Sequence, residues 1–104
     1  MDWQIRWSPR AATDLEEGCA FIAKDSEHYA AIFARRVVAI VEGIPFFPRA
    51  GRVVPEYRDE NLREKLFGNY RIVYRLRENV AEHVVEIVTI HHAARPLDVT
   101  TDLT

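Results

Sequence analysis

The sequence predicts an α+β fold: an N-terminal strand and a two-helix antiparallel hairpin packed on one face of a mainly antiparallel sheet, in the order β-α-α-β-β-β. Three observations predict it. Apolar residues recur at spacings of three and four up to Ile44, and beyond Gly51 the period changes to two. Two helix-start signals, Ser8-Pro9 and Ser26, each precede one of the helical stripes. Helices grouped ahead of a run of strands cover one face of a sheet rather than alternating with it.

Element by element, Trp3, Ile5 and Trp7 alternate with Asp2, Gln4 and Arg6, giving a first strand. Ser8 supplies a capping hydroxyl and Pro9 a first helical residue with no N–H to leave unpaired. Ala12, Leu15, Cys19 and Ile22 then form one apolar stripe, with Asp14, Glu16 and Glu17 toward the helix's positive end. After Lys24-Asp25-Ser26, a second stripe runs through Ala30, Phe33, Val37, Ile40 and Ile44, and Gly43 and Pro45 end it. Phe46-Phe47-Pro48-Arg49-Ala50-Gly51 is a turn expected to fold aromatic bulk onto the core. Strands follow at about Arg52–Tyr57, Leu62–Phe67, Tyr70–Glu78 and Val80–His91. Gly68-Asn69 is a strong two-residue hairpin connection and Glu78-Asn79 a weaker one. Val84, Val85, Ile87, Val88 and Ile90 are apolar on both parities, so a strand buried on both faces is expected and the directions of His91 and His92 stay open.

At 104 residues the chain fits a single domain over 1–104, with a polar C-terminal tail from about residue 98. Hydrophobic residues at 48% and charged residues at 29% place it among folded rather than disordered chains. No apolar run approaches the roughly 20 residues needed to span a bilayer, so no membrane association is expected. One cysteine, Cys19, excludes an internal disulfide, in keeping with a cytoplasmic location. No Cys or His spacing completes a metal site, and there is neither a glycine-rich phosphate loop nor a serine nucleophile elbow, so no cofactor is expected.

Charge is unevenly spread. Ala11 to Pro48 carries six acids against three bases, whereas Arg49 to Arg77 carries eight bases against four acids. The second half therefore invites an acidic partner. Its centre is Tyr70-Arg71-Ile72-Val73-Tyr74-Arg75-Leu76-Arg77. In a strand, Tyr70, Ile72, Tyr74 and Leu76 line one face and Arg71, Arg75 and Arg77 the other. The tyrosines share the parity of Ile72 and are expected in the core. The arginines form a column suited to phosphates or carboxylates.

The two-helix start, Gly51-Arg52-Val53-Val54-Pro55-Glu56, Leu62-Arg63-Glu64, Tyr70 to Arg75, and Ile90-His91-His92-Ala93-Ala94-Arg95 follow one another in an order that resembles the RelE/ParE superfamily, the toxins of type II toxin–antitoxin systems also called plasmid stabilisation proteins. The likeness runs from about Trp7 to Leu97. It implies a growth-inhibiting toxin, neutralised by a cognate antitoxin in a hetero-oligomer. The arginine column beside exposed strand edges invites an acidic segment of that partner, with Arg63, Arg71, Arg75, Arg77 and Arg95 as partner-binding residues. It leaves the target open between DNA gyrase for ParE-like members and mRNA on the ribosome for RelE-like ones. A decayed, non-toxic interaction module is a third reading.

Metal-independent cleavage of RNA needs a base for the 2′-hydroxyl, an acid for the leaving oxygen and cations for the charged phosphorane. Glu56 or His91 suits the base, a histidine the acid, and Arg71 with Arg75 the charge. Glu56, Arg71 and His91 also occupy places like those of the glutamate, arginine and histidine of some RNA-cleaving relatives. Glu56 has a plainer use as well, an ion pair with Arg71 or Arg75 on a neighbouring strand. The ending His-x-x-x-Arg and the presence of only two lysines, Lys24 and Lys65, look more like the ParE branch.

Overall fold

A computed structural model describes residues 2–98; most of the expected polar tail, residues 99–104, lies outside the described residues. The first strand, β1 (Gln4–Trp7), leads directly into α1 (Pro9–Ala23). The Ser8 hydroxyl accepts from the Ala11 N–H at 3.0 Å and donates to the Val88 carbonyl at 2.9 Å, so one side chain caps α1 and fastens it to the sheet. The buried positions of α1 are Ala11 and Gly18, with Leu15, Cys19 and Ile22 packed at the core's margin. The stripe thus begins at Ala11 and not at the expected Ala12, which is exposed; the phase 11, 15, 18, 22 keeps the helical period.

Ser26 caps α2 (Glu27–Gly43), accepting from the Tyr29 N–H at 3.1 Å. Ala30, Phe33, Val37 and Val41 are its buried face. A single 3-10 turn, Ile44–Phe46, follows and buries Ile44 completely. The aromatic turn does not fold inward: Phe46 is 78% and Phe47 73% exposed. Ile44 fills the available space at that end of the core, and the tightened turn at Pro45 swings the two phenylalanines to solvent.

The remaining strands are β2 (Arg52–Val53), β3 (Leu62–Phe67), β4 (Tyr70–Glu78) and β5 (His83–His92). The sheet has five strands in the order β1-β5-β4-β3-β2, with β1 parallel to β5 and every other pair antiparallel. The run after the helices therefore has four members, one more than the order β-α-α-β-β-β counts. β3 and β4 lie where the period of two places them, joined by Gly68-Asn69 with Gly68 at φ +56°. β2 stops at Val53 and not at Tyr57, because the Val54 carbonyl accepts from both the Tyr57 and Arg58 N–H groups and the chain turns away. β5 starts at His83 and not at Val80. The Asn79 side chain accepts from the N–H groups of Ala81 and Glu82, which holds residues 79–82 in a turn with Val80 fully exposed.

The helices cover one sheet face. There Phe33, Val37, Val41 and Ile44 pack on Ile72, Tyr74, Leu76, Val85, Ile87 and Ile90. A second, smaller core of Val54, Leu62, Val73, Val88 and Leu97 lies on the opposite face, edged by Tyr57. The double parity of β5 has a structural cause. Tyr74 pairs with Ile87 but Val73 pairs with Thr89, so Val88 is an extra residue in β5. This β-bulge shifts the alternation, letting Val85, Ile87 and Ile90 all face the helices. Asp14 of α1 fastens it, accepting from the Thr89 hydroxyl at 2.5 Å and the Ile90 N–H at 3.1 Å. No helix among the described residues is long and apolar enough to cross a membrane.

Candidate functional site

The helix-free face of the sheet gathers most of the residues that chemistry singles out. β4 carries Arg71, Arg75 and Arg77 there, at alternate positions, while Tyr70, Ile72, Tyr74 and Leu76 go to the helix side as expected. The β3–β4 register pairs Leu66 with Arg71 and Glu64 with Val73, so Glu64 sits one same-face step from Arg71. β5 pairs His91 with Arg71, which fixes the direction open in the sequence: His91 shares the face of Arg71, and His92 pairs with Tyr70.

At the centre, Arg71 is clamped between two carboxylates. Its Nη1 and Nη2 each donate to Glu56 at 2.8 Å, a bidentate pair, and its Nε donates to Glu64 at 2.6 Å. The second oxygen of Glu64 accepts from Nε of Arg52. The Glu64 side chain is completely buried and that of Arg71 nearly so, whereas Glu56 is about one-third exposed. Arg71's hydrogen bonds hold the Glu56 carboxyl well below the usual carboxylate range, at about 2. Glu56 and then Glu64 in turn push the Arg71 guanidinium still higher. His91 is buried, and its Nε2 lies 2.8 Å from the Arg95 carbonyl oxygen. A carbonyl only accepts, so that nitrogen carries the proton.

The rest of the arginine column is also matched by acid. Glu86, opposite Arg75 on β5, lies 3.7 Å from Arg75 and 3.0 Å from Arg77. Arg63 faces the other way, paired with Tyr74, and serves the backbone: it donates to the carbonyls of Arg49, Gly51 and Glu60 and to the Glu60 carboxylate. Arg95 stands apart at the end of β5, beside α1. Glu56, Arg71 and His91 are therefore brought to one neighbourhood, Arg75 lies two same-face steps along β4, and Arg63 and Arg95 lie elsewhere.

Sequence reasoning misses Glu64, Arg52 and Glu86. A signal for Glu64 is present: it shares the parity of Leu62 and Leu66, so an acid there is an acid on a buried face. Counting the register outward from Gly68-Asn69 would have placed it beside Arg71. Among the described residues no group of three His, Cys, Asp or Glu side chains is arranged to hold a metal ion.

A two-helix hairpin over one face of a five-stranded sheet is a fold with solved examples among toxin–antitoxin systems. The chain superposes on a structure of the chromosomal ParDE TA system from P. aeruginosa with a TM-score of 0.69 at 15% identity, covering 86% of this chain and 95% of that one. For the toxin–antitoxin complex RelBE2 of Mycobacterium tuberculosis the TM-score is 0.50 at 19% identity, covering 88% and 99%. In sequence, residues 5–97 match the family described as ParE toxin of type II toxin-antitoxin system, parDE. A Sinorhizobium fredii protein named "Putative toxin Y4kP" is 34% identical over 92 residues, 86% of this chain and 88% of the relative. The chain belongs to the ParE toxin family.

Proposed function

We propose that this protein is a growth-inhibiting toxin that acts in the cytoplasm by binding DNA gyrase, and that a cognate antitoxin neutralises it within a hetero-oligomer. The family assignment supports a toxin of a toxin–antitoxin pair, and the names of its structural relatives support the antitoxin. Binding rather than RNA cleavage is supported above all by the closure of the Glu56–Arg71–Glu64 cluster.

A general base works best with a pKa near the operating pH, and a carboxylate at about 2 is a poor acceptor for a 2′-hydroxyl proton. Arg71 directs Nε, Nη1 and Nη2 at carboxylates already in place, so a phosphate approaching it meets two negative charges as well. His91 is 2% exposed and its Nε2 is engaged by the Arg95 carbonyl, which supports a structural use of its ring. The cluster has the composition of a nuclease site and the geometry of a structural ion network.

The test runs the purified chain in two assays. Gyrase supercoiling should be inhibited, or a gyrase–DNA cleavage complex should accumulate, while translating ribosomes retain intact mRNA. Codon-specific cuts that Arg71→Ala abolishes, with gyrase unaffected, would reverse the assignment. Induced expression without growth arrest would remove the toxin reading altogether.

A further inference from the structure

Four of the five arginines expected to meet an acidic partner already lie against a carboxylate: Arg63, Arg71, Arg75 and Arg77. Arg95 has no carboxylate partner among the described residues. Its backbone is nonetheless fixed at both ends. The N–H donates to the His92 carbonyl at 3.1 Å, and the carbonyl accepts from His91 Nε2 at 2.8 Å. A guanidinium on an anchored backbone, with no carboxylate against it among the described residues, is a ready contact for an incoming carboxylate.

Arg95 opens onto a cleft of about 270 Å³ between α1 and the end of β5. Phe21, Tyr70 and His92 supply aromatic walls and Ile90 an aliphatic one. Phe21 is 65% exposed although it projects from a helix whose other large apolar side chains pack on the core. Gly18 lets α1 pack closely there, since a Cβ would come within 3.2 Å of the Phe33 ring and press on it.

The polar groups sort by side. Near Arg95, the Tyr70 hydroxyl makes no hydrogen bond among the described residues. His92 Nδ1 accepts from the Ala94 N–H at 3.1 Å, which leaves the neutral ring's proton on Nε2. On the α1 side, Asp14 is occupied by Thr89, Ile90 and Arg10, and Glu17 stands exposed with no ion partner among the described residues. Donors therefore converge beside aromatic surface at one lip, opposite a carboxylate at the other. A polyanion with a phosphate at every step would run into Glu17. A polypeptide can set one carboxylate beside one apolar side chain and avoid it.

We propose that this cleft is an anchor site for an acidic protein segment, which seats an apolar side chain among Phe21, Tyr70 and Ile90 while a neighbouring carboxylate pairs with Arg95. Identification of that segment with the antitoxin rests on the function proposed above; the chemistry of the site does not. The arginine column of β4 is then a structural feature, and the docking charge is Arg95.

A displayed library of short random peptides selected on the full chain tests this. Enriched sequences should pair an acidic residue with an adjacent aromatic or large aliphatic one. Binding should weaken by about tenfold or more in Arg95→Ala and in Phe21→Ser, as expected for anchor residues, and stay within about twofold in Arg77→Ala. Both anchor substitutions fall at exposed positions, and thermal melts check that the fold is kept. A library that yields no binder, enriched peptides without acids, or binding indifferent to Arg95→Ala would overturn the proposal. So would Arg95-dependent binding of oligothymidylate, which would make the occupant a nucleic acid. Gyrase inhibition by the unaltered chain is read separately, so loss of the anchor site and loss of the proposed target are distinguishable.

Discussion

Glu64 and Arg71 bond on the helix-free face of the sheet, Nε to Oε1 at 2.6 Å, with the Glu64 side chain wholly removed from solvent. Glu64 is held by Arg52 as well, and Arg71 by Glu56. The four side chains form a chain of charges running from a partly exposed acid to a partly exposed arginine, with its middle buried. A buried ion pair stabilises little relative to an apolar pair, but breaking it leaves an uncompensated charge. The cluster is therefore sensitive to loss of a middle member and tolerant of loss of an end.

That asymmetry gives the first prediction. Glu64→Ala leaves Arg71 Nε facing a void and should cost about 3–5 kcal/mol of unfolding free energy. Glu56→Ala removes a partly exposed carboxylate while Arg71 keeps Glu64, and should cost less, about 1–2 kcal/mol. Urea unfolding midpoints at constant slope measure both. Equal losses would show that Arg71 is not buried as the pair requires.

A pH dependence follows from the same cluster. Arg71 holds the folded-state pKa of Glu56 at about 2, below the roughly 4.3 of an unperturbed glutamate. A carboxyl lowered on folding contributes stability that is complete above the unfolded value and is lost as pH falls through the folded one. Stability should therefore decline between about pH 4.3 and about pH 2. Glu56→Gln should flatten that part of the decline and leave the pH dependence near neutrality unchanged, because Glu56 is ionised there in both states. An unchanged acid limb in Glu56→Gln would assign the decline to other carboxyls.

How far such features are legible in the sequence depends on what fixes them. β3 and β4 are legible because Gly68-Asn69 sets their register locally and every later residue inherits it. β5 is harder, because the extra residue at Val88 breaks the period from which strands are read; apolar residues on both parities signal either two-sided burial or a bulge. Phe46 and Phe47 mislead for another reason. Hydrophobicity does not say which residue of a turn faces inward, and here Ile44 takes the interior. The candidate site is half legible. Glu56, Arg71 and His91 emerge from motif order, but Glu64 and Glu86 are apparent only once strands are paired, since their significance lies in the partner strand.

Two glycines should respond oppositely to alanine. A Cβ on Gly51 would lie 2.8 Å from the Glu64 carbonyl oxygen and collide with the Tyr74 hydroxyl. That hydroxyl accepts from the Gly51 N–H and donates to the Pro48 carbonyl at 2.8 Å, tying β2's approach to the core. Gly51→Ala should cost about 1–3 kcal/mol, the usual range for overpacking. Gly43 has φ −80° and nothing within 4 Å of an added Cβ. Gly43→Ala should stabilise by about 0.4–1 kcal/mol through lower unfolded-state entropy. Thermal melts of the two variants, compared with the unaltered chain, decide both signs.

The last prediction concerns what neutralises the arginine column. Glu86 stands opposite Arg75 and reaches both Arg75 and Arg77, so a single carboxylate answers two guanidinium groups on the sheet surface. Both contacts are partly solvated, and the longer one is 3.7 Å, so Glu86→Gln should change the unfolding midpoint little. Its electrostatic effect is larger than its energetic one, because it removes the only acid set against these two guanidinium groups among the described residues and so raises the net positive charge of the patch. The variant should elute later than the unaltered chain from a heparin column, and the difference should shrink as salt rises. Arg75→Ala and Arg77→Ala, each alone in the unaltered background, should bring elution somewhat earlier without abolishing retention, since Glu86 already offsets part of their charge. If those two substitutions alone abolish heparin retention, the column is an open anion site, and Glu86 does not close it.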